Sequence, residues 1–321
     1  MDIGSATTAG AEVQQRPTLT VTLANFAAED PSGWEHLIER AELLDRVGVD
    51  RLVVSDHVAF GEDLEAYGRP ELGGTAGGRQ PTGPDGYWLE PLTTLAVVAG
   101  RTQRIRLGTN ILIAALRRPV VLAKTAATLD VLSGGRLDLG VGVGWQREEY
   151  QAAGLDFARR GRLLDETLDL CRTLWSERRA DFAGEHARFE GIHQMPKPCQ
   201  AGGVPIWVSG RVNERVVERV GRFGAGWIPW GDDAADPVAG ATRMRTALVA
   251  SGFDPTGLQI VGRLGVADPS AKGVREAMEA VPAQVEAGIT DLRLRMRLPV
   301  DPDEAGDVLS TVIDELSCRT R

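Results

Sequence analysis

Short strand-like segments alternate with longer amphipathic segments along this chain, and the alternation repeats eight times. The strand-like segments are rich in β-branched and apolar residues, whereas the others repeat their apolar residues every three to four positions. Such alternation is typical of parallel strands joined by crossover helices. The predicted strands are Leu19–Ala24, Arg51–Ser55, Ile105–Ile111, Arg136–Val141, Val204–Val208, Ala225–Ile228, Leu258–Arg263 and Thr290–Arg295.

Eight helices are predicted in the intervening segments. Eight repeats within 321 residues suit one closed (β/α)8 TIM barrel, whereas an open doubly wound sheet usually has fewer strands or a second domain. We therefore expect a disordered leader at residues 1–17 and a single barrel domain at residues 18–321. The predicted helices are Trp34–Val47, Pro91–Arg101, Pro119–Leu132, Gly161–Trp175, Glu214–Phe223, Pro237–Ser251, Val274–Ala287 and Pro302–Leu316.

The composition excludes several classes of protein. A net charge of −9, from 36 basic and 45 acidic residues, leaves no broad basic surface for a nucleic-acid backbone. The three cysteines, Cys171, Cys199 and Cys318, form no CxxC pair, so a disulfide framework or a four-thiolate zinc site is not expected. The longest apolar stretches, such as 111–116, are far shorter than the roughly 20 residues that cross a bilayer, and residues 1–16 lack a secretory pattern. We predict a cytoplasmic protein that binds neither nucleic acid nor membrane.

Two connections are too long for simple turns. The segment 58–87 contains several glycine pairs, a composition that resists regular structure. The segment 176–203 joins the fourth helix to the fifth strand. Because catalysis in this fold takes place at the carboxyl ends of the strands, where the first segment begins, we predict that segment 58–87 is a lid over the substrate.

The end of the second strand carries the strongest candidate for chemistry, the sequence Ser55-Asp56-His57. An imidazole at a barrel mouth can exchange a proton near neutral pH or donate a hydrogen bond to a developing anion. An adjacent carboxylate can bias its charge. The alternative is an Asp–His pair that only caps local structure.

Glycines mark the ends of the next two strands. Gly108 precedes Asn110, and a glycine within a strand indicates a bulge or a close approach of the backbone. Gly140, Gly142 and Gly144 alternate along the fourth strand before Trp145, so the backbone can lie against a planar group. The spacing is not the dinucleotide fingerprint, because the third glycine comes one position early. Packing glycines, and a tryptophan in the core, are the alternative.

The fifth strand ends in Ser209-Gly210-Arg211, followed by Val212, Asn213 and a helix from Glu214. Free N–H groups at a helix start, together with an arginine, can bind a phosphate. The alternative is an asparagine N-cap beside a solvated arginine.

Other catalytic classes are disfavoured. The four histidines, His36, His57, His186 and His193, show no HExxH spacing, and neither a GxSxG elbow nor a P-loop occurs. We therefore predict no metal site, and neither a metal hydrolase nor a serine esterase.

Several segments taken in order resemble the luciferase-like monooxygenase superfamily, and within it the branch that uses the deazaflavin coenzyme F420. The resemblance covers residues 18–316. It implies a (β/α)8 barrel with the flavin-like ring in its carboxyl-terminal mouth and a phosphate beyond the fifth strand. The segments are Ser55-Asp56-His57, Leu107-Gly108-Thr109-Asn110, Leu132-Ser133-Gly134-Gly135-Arg136, Gly140 to Trp145, Arg160-Gly161-Arg162, Asp165-Glu166, Leu174-Trp175 and Gly224-Ala225-Gly226-Trp227.

The resemblance also assigns roles to residues. It implies that His57 lies near the ring carbon that carries the hydride, and that Asn110–Ile111 is a non-proline cis peptide behind the ring. Two departures from the family, Gly61 and Trp145, argue against a sugar-phosphate substrate. Two others, Ser209-Gly210 in place of a Gly-Gly turn and Ala225 in place of an acid, imply that the cofactor is held differently in detail. The implied cofactor-binding residues are Asp56, Asn110, Ile111, Gly142, Gly144, Trp145, Ser209, Gly210, Arg211, Val212 and Asn213.

Three functions remain open from the sequence. The leading hypothesis is an oxidoreductase that transfers a hydride between coenzyme F420 and a small organic substrate, with His57 as the catalytic residue. An FMN-dependent monooxygenase is the second, because the two rings are nearly isosteric. The third is a storage protein that binds the ring without turnover. The resemblance further implies a homodimer.

Overall fold

Eight parallel strands close into a barrel in the computed structural model, which describes residues 16–319. Each strand pairs with its neighbours in chain order, and the last pairs with the first. The (β/α)8 barrel expected from the sequence is thereby confirmed. The strands are β1 (Thr18–Thr22), β2 (Arg51–Val54), β3 (Arg106–Thr109), β4 (Leu137–Val141), β5 (Ile206–Gly210), β6 (Gly224–Pro229), β7 (Gln259–Gly265) and β8 (Asp291–Arg295).

Helices follow the strands and surround the barrel. Helix α3 begins with Pro119, whose missing N–H costs nothing in the first turn, and ends at Gly134, which has a positive φ of 68°. The helices are α1 (Glu35–Val47), α2 (Pro91–Arg101), α3 (Pro119–Ser133), α4 (Arg160–Ser176), α5 (Glu214–Phe223), α6 (Pro237–Ala250), α7 (Ala271–Ala277, continued by Met278–Ala280 and Val281–Glu286) and α8 (Pro302–Arg319).

Most predicted elements lie within two residues of the observed bounds, and two of the differences have a clear local cause. Helix α7, predicted as one helix over Val274–Ala287, is divided by a 3-10 turn, Met278–Ala280. Pro282 explains the division, because proline cannot donate the hydrogen bond that a continuous helix needs at this position. Strand β3 ends at Thr109, two residues before the predicted Ile111, because the backbone leaves the ladder there.

Short elements lie outside the barrel. Phe26–Ala27 pairs with Tyr87–Trp88, and Ala180–Ala183 pairs with Arg188–Ile192, in two antiparallel ribbons that we did not predict. Segment 58–87 was expected to lack regular structure but contains two 3-10 helices, Leu64–Gly68 and Pro70–Leu72. Short α-helices at Arg147–Ala152 and Asp232–Ala235 and 3-10 turns at Ala114–Leu116 and Phe157–Arg159 complete the elements.

The amino-terminal part of the barrel interior is charged. Arg51 Nε donates to Asp138 Oδ2 over 2.9 Å, and the same guanidinium bonds Asp291. Arg106 Nη2 donates to Asp138 Oδ1 over 2.7 Å, and the Thr20 hydroxyl donates to Asp291 over 2.7 Å. Because each buried charge here has a partner, this network holds the base of the barrel without exposing an unpaired ion.

The described residues bear on two further expectations. None of the described helices is long and apolar enough to cross a membrane. Residues 1–15, which make up most of the predicted leader, lie outside the described residues, so the leader stays a prediction.

Candidate active site

The His57 side chain follows β2 and is 8% exposed. Its Nδ1 atom lies 3.4 Å from Glu149 Oε2, and its Nε2 atom lies 3.0 Å from the amide nitrogen of Gln80 in segment 58–87. An amide nitrogen donates, so Nε2 accepts, and Nδ1 carries the proton that faces the carboxylate. His57 Nδ1 and Glu149 Oε2 face each other, but neither atom has a hydrogen-bond partner among the described residues, so the Gln80 amide is the partner that sets the tautomer.

Glu149 is the acidic partner of His57. It lies on the short helix Arg147–Ala152 beyond β4, and its carboxylate is fully buried. Oε1 accepts the Val58 N–H over 2.5 Å, which leaves Oε2 to the imidazole. We missed this residue in the sequence, where Asp56 was taken as the acidic neighbour. The position of Glu149 just after the glycine run could have predicted its closeness to His57, since the segments that follow β2 and β4 lie at the same face of a barrel.

Asp56 holds a loop instead of facing His57. Its Oδ2 accepts the Ile113 N–H over 2.8 Å, and Arg117 donates to both carboxylate oxygens over 2.5 and 2.9 Å. Burial would lower the pKa of Arg117, but its hydrogen bonds with Asp56 and Glu90 outweigh burial and raise that pKa. Asp56 thus clamps the segment that follows Asn110–Ile111, while its predicted role in cofactor binding stays a prediction.

The peptide bond Asn110–Ile111 is cis, as the resemblance implied. The half-buried Ile111 side chain packs on Trp207, Ile228 and Val261, which form a small apolar cluster inside the barrel. Ile111 therefore provides an apolar surface at the carboxyl-terminal end of the barrel axis, where a planar ring could rest.

The glycine run lets β4 approach this segment closely. A Cβ on Gly140 would lie 1.9 Å from the Thr109 carbonyl oxygen, and one on Gly142 would lie 2.8 Å from Cδ1 of Ile111. At Gly144 the nearest atom would be a methyl carbon of Ile113, 3.2 Å away. Packing of the Ile111 loop thus explains the glycines, and contact between them and a cofactor remains a prediction.

Aromatic side chains surround His57. Its ring centroid lies 4.3 Å from that of Phe60, 4.9 Å from that of Trp88 and 5.8 Å from that of Trp145. The Trp145 ring also contacts Tyr67 at 5.4 Å. Phe60 and Tyr67 belong to segment 58–87, so this segment covers the mouth in the present conformation.

Segment 58–87, the lid, is hydrogen-bonded to the barrel rim opposite His57. Arg211 Nη2 donates to the Gly74 carbonyl over 2.8 Å, and Trp230 Nε1 donates to the Gly73 carbonyl over 3.0 Å. A buried Asn25 bonds Ser55 before the lid and Leu89 after it, so both ends of the lid are tied to one amide.

The segment 209–213 is partly engaged by the protein itself. Asn213 Oδ1 accepts the Val216 N–H over 3.1 Å, so it caps α5 as the alternative interpretation held. The alternative interpretation placed Arg211 in solvent, but its guanidinium hydrogen-bonds the Gly74 carbonyl of the lid. The Val212 N–H donates to the buried Asp233 carboxylate over 2.7 Å. Phosphate binding here stays a prediction, and an acidic side chain lies beside the predicted site.

The chemistry of the mouth fits a planar ring with carbonyl oxygens. Trp145 Nε1 and Arg211 Nε are buried donors with no hydrogen-bond partner in the described part of the chain. Ile111 offers an apolar surface inside the barrel, and the His57 imidazole offers a group that exchanges protons. A flavin or deazaflavin ring presents the acceptors that such donors need.

Comparison with known proteins places these features in a family context. The sequence profile of the luciferase-like monooxygenase family matches residues 12–300. The chain is 30% identical over 233 residues to an uncharacterized protein of Mycobacterium tuberculosis strain H37Rv, which covers 72% of this chain and 76% of that protein. It is 33% identical over 209 residues to an F420-dependent glucose-6-phosphate dehydrogenase of Nocardia farcinica, covering 63% of this chain and 55% of the relative.

Two solved structures share the fold. Long-chain alkane monooxygenase LadA superposes with a TM-score of 0.73 at 16% identity, over 95% of this chain and 92% of that chain. An F420-dependent secondary alcohol dehydrogenase in complex with an F420–acetone adduct superposes with a TM-score of 0.70 at 17% identity, over 94% and 99%. At these identities the likeness concerns the barrel alone.

Proposed function

The chain belongs to the luciferase-like monooxygenase family, and on this premise we propose that it is an oxidoreductase that transfers a hydride between coenzyme F420 and a small organic substrate. The observation that carries this proposal is the buried His57–Glu149 pair at the barrel mouth. Support comes from the relative and the structural neighbour that are F420-dependent dehydrogenases.

Each group of the site has a distinct task in this reaction. The deazaflavin ring, when bound, supplies or accepts the hydride. His57 Nε2 exchanges the accompanying proton with the substrate oxygen, and Glu149 stabilises the imidazolium from the Nδ1 side. Ile111 supports the ring, and Trp145 Nε1 offers a hydrogen bond at its edge. The catalytic residue is His57, while Glu149 is a positioning residue.

The lid excludes water during the reaction and moves to admit the ring. Gln80 occupies His57 Nε2 in the closed conformation, so this hydrogen bond must break before a substrate oxygen can take its place. The hydrogen bonds from Arg211 and Trp230 to the lid carbonyls stabilise the closed conformation. Closing over the bound reactants lowers the local dielectric and orients them.

A titration tests the cofactor. Purified protein is mixed separately with F420 and with FMN, and quenching of each ligand's fluorescence is measured. We expect saturable binding of F420 and turnover with a member of a panel of alcohols, ketones and aldehydes. His57→Ala should keep F420 binding and lose turnover, with His36→Ala as the control. Binding of FMN alone, or wild-type turnover by His57→Ala, contradicts the proposal.

An FMN-dependent monooxygenase is the second candidate, supported by the superposition on an alkane monooxygenase. It would consume oxygen in step with substrate and take up FMN. A storage protein, the third, would bind the ring with no turnover for any donor or acceptor. The buried acid–imidazole pair favours an enzyme over storage.

We also propose a cytoplasmic homodimer that acts on a small-molecule substrate. Exposed apolar side chains on α2 and α3, namely Val97, Val121 and Leu132, support the dimer, since exposed apolar side chains on neighbouring helices are typical of protein contacts. Light scattering after size-exclusion chromatography tests it. Leu132→Glu should give monomers, and Val249→Glu on α6, which is also exposed, should not. A monomeric wild-type protein contradicts the dimer.

A further inference from the structure

Three arginines of β7 and β8 face the inside of the barrel. Arg263 and Arg295 are exposed, whereas Arg293 is buried and lines a small internal cavity together with Arg51. On β7, Ile260 and Leu264 are buried in the outer core, and Gly262 faces Gln284 of α7. Because side chains alternate along a strand, Arg263 faces the barrel interior.

The same alternation orients β8. Leu292 and Leu294 are buried on the helix side, so Arg293 and Arg295 face inward. Arg263 is the register partner of Arg293, and Gly265 is the register partner of Arg295. Paired residues on parallel strands point to the same side, so the three side chains lie on the inner face of β7 and β8, and we call them the arginine patch.

No carboxylate within residues 16–319 forms an ion pair with any of these three arginines. This differs from the barrel base, where Asp138 and Asp291 pair with Arg51. Arg293 is 7% exposed, and its Nε has no hydrogen-bond partner among the described residues. Burial lowers the pKa of Arg293 to about 10; the charge of Asp291 opposes this shift, and the charges of Arg51 and Arg295 add to it. Because Asp291 is already paired with Arg51, the three arginines have no carboxylate of their own among the described residues.

The patch borders open space. Arg263 and Arg295 are exposed, and a Cβ on Gly265 would meet no heavy atom of the described residues within 4 Å. Burial raises the pKa of the lid residue Tyr67, and the charge of Arg295 partly opposes this. The Tyr67 ring contacts Trp145, which in turn contacts His57. These aromatic rings thus connect a lid residue that is subject to the charge of Arg295 with the imidazole.

We infer that the substrate carries a carboxylate or phosphate group, which Arg263 and Arg295 bind while its reacting carbon faces His57. Guanidinium groups match the oxygens of both anions through paired hydrogen bonds. Arg293 adds positive charge from below. The inference rests on the proposed function for the position of the reaction, whereas the anion site itself does not depend on the cofactor.

Calorimetry with inorganic phosphate tests the site. Phosphate is titrated into the full chain at low ionic strength, without cofactor and with saturating F420. We expect binding in both conditions and at least a tenfold loss of affinity in Arg263→Gln and in Arg295→Gln, with partial recovery in Arg263→Lys. Arg188→Gln, an exposed arginine on the outer ribbon, is the matched control and should bind as wild type. Thermal unfolding confirms that each variant is folded.

The anionic tail of the cofactor is the other source of such a group. If F420 competes with phosphate, and the two substitutions weaken F420 to the same extent, the arginines bind the cofactor and the inference is overturned. Absence of phosphate binding, or an equal loss in Arg188→Gln, also overturns it. If F420 fails to bind while phosphate binding still depends on Arg263, the proposed function falls and the anion site stands.

Discussion

The Nδ1 atom of His57 lies 3.4 Å from Oε2 of Glu149, and neither side chain has appreciable contact with solvent. The Val58 N–H donates to the other oxygen of this carboxylate. The imidazole is thus held between the carboxylate at Nδ1 and the Gln80 amide at Nε2. We therefore expect Nε2 to be the nitrogen that a substrate oxygen reaches once Gln80 moves away.

Glu149→Gln should lower kcat by about ten- to a hundredfold while F420 affinity stays unchanged. The glutamine keeps an acceptor for Val58 N–H but directs an amide donor at His57 Nδ1, which reverses the tautomer. Steady-state kinetics and fluorescence titration measure the two effects separately.

The neighbouring Glu148→Gln is the control, and it should retain wild-type kcat. A merely structural role for Glu149 would lower thermal stability and F420 affinity together. Equal kcat in Glu149→Gln and wild type would show that the pair has no role in turnover.

Asp56→Asn should lower the free energy of unfolding by about 3 kcal/mol, because it leaves Arg117 without its buried partner. Glu90→Gln removes the exposed partner of the same arginine and should cost less than about 1 kcal/mol. Urea unfolding of both variants checks the difference. An equal loss of unfolding free energy in the two variants would mean that burial does not determine how much an ion pair of Arg117 contributes to stability.

Gly140→Ala should destabilise the barrel by about 3 kcal/mol, since the new methyl group would lie 1.9 Å from a backbone oxygen. Gly265→Ala adds the same group in open space and should change stability by less than about 0.5 kcal/mol. Thermal unfolding compares them, and a fully stable Gly140→Ala protein would refute the close packing of β4.

Trp230→Phe should speed the association of F420 several-fold, because it removes hydrogen bonds to Gly73 and Gly74 that together contribute about 1 kcal/mol to lid closure. Stopped-flow fluorescence measures the rate. Trp34→Phe, a substitution outside the lid and its hydrogen-bond partners, is the control and should leave the association rate unchanged. An unaltered rate in Trp230→Phe would show that the lid does not limit entry.

Local patterns predicted the barrel well. Each strand and helix is a short segment that its own periodicity and end residues predict. The end residues Pro119 and Gly134 of α3 are an example. Helix α7 departs from its prediction at Pro282, where a local rule against proline should have outweighed the apolar repeat.

Partners across the mouth were harder to foresee. His57 and its position at the end of β2 follow from the sequence, but its contact with Glu149 depends on how two loops beyond different strands fold over each other. The same holds for the Val212 N–H, which donates to Asp233 on the short helix Asp232–Ala235 after β6. Such pairings arise from tertiary packing and leave no periodic trace in the chain.

Because the amide of Asn25 fixes both ends of segment 58–87, the residues between those ends can be exchanged as a unit. Its bonds to Ser55 and Leu89 keep the entry and exit of the segment at fixed positions, whatever lies between them. Insertions or replacements within the segment would leave the eight-stranded scaffold intact. Evolution could thereby diversify the molecules that such a barrel accepts without rebuilding its catalytic centre.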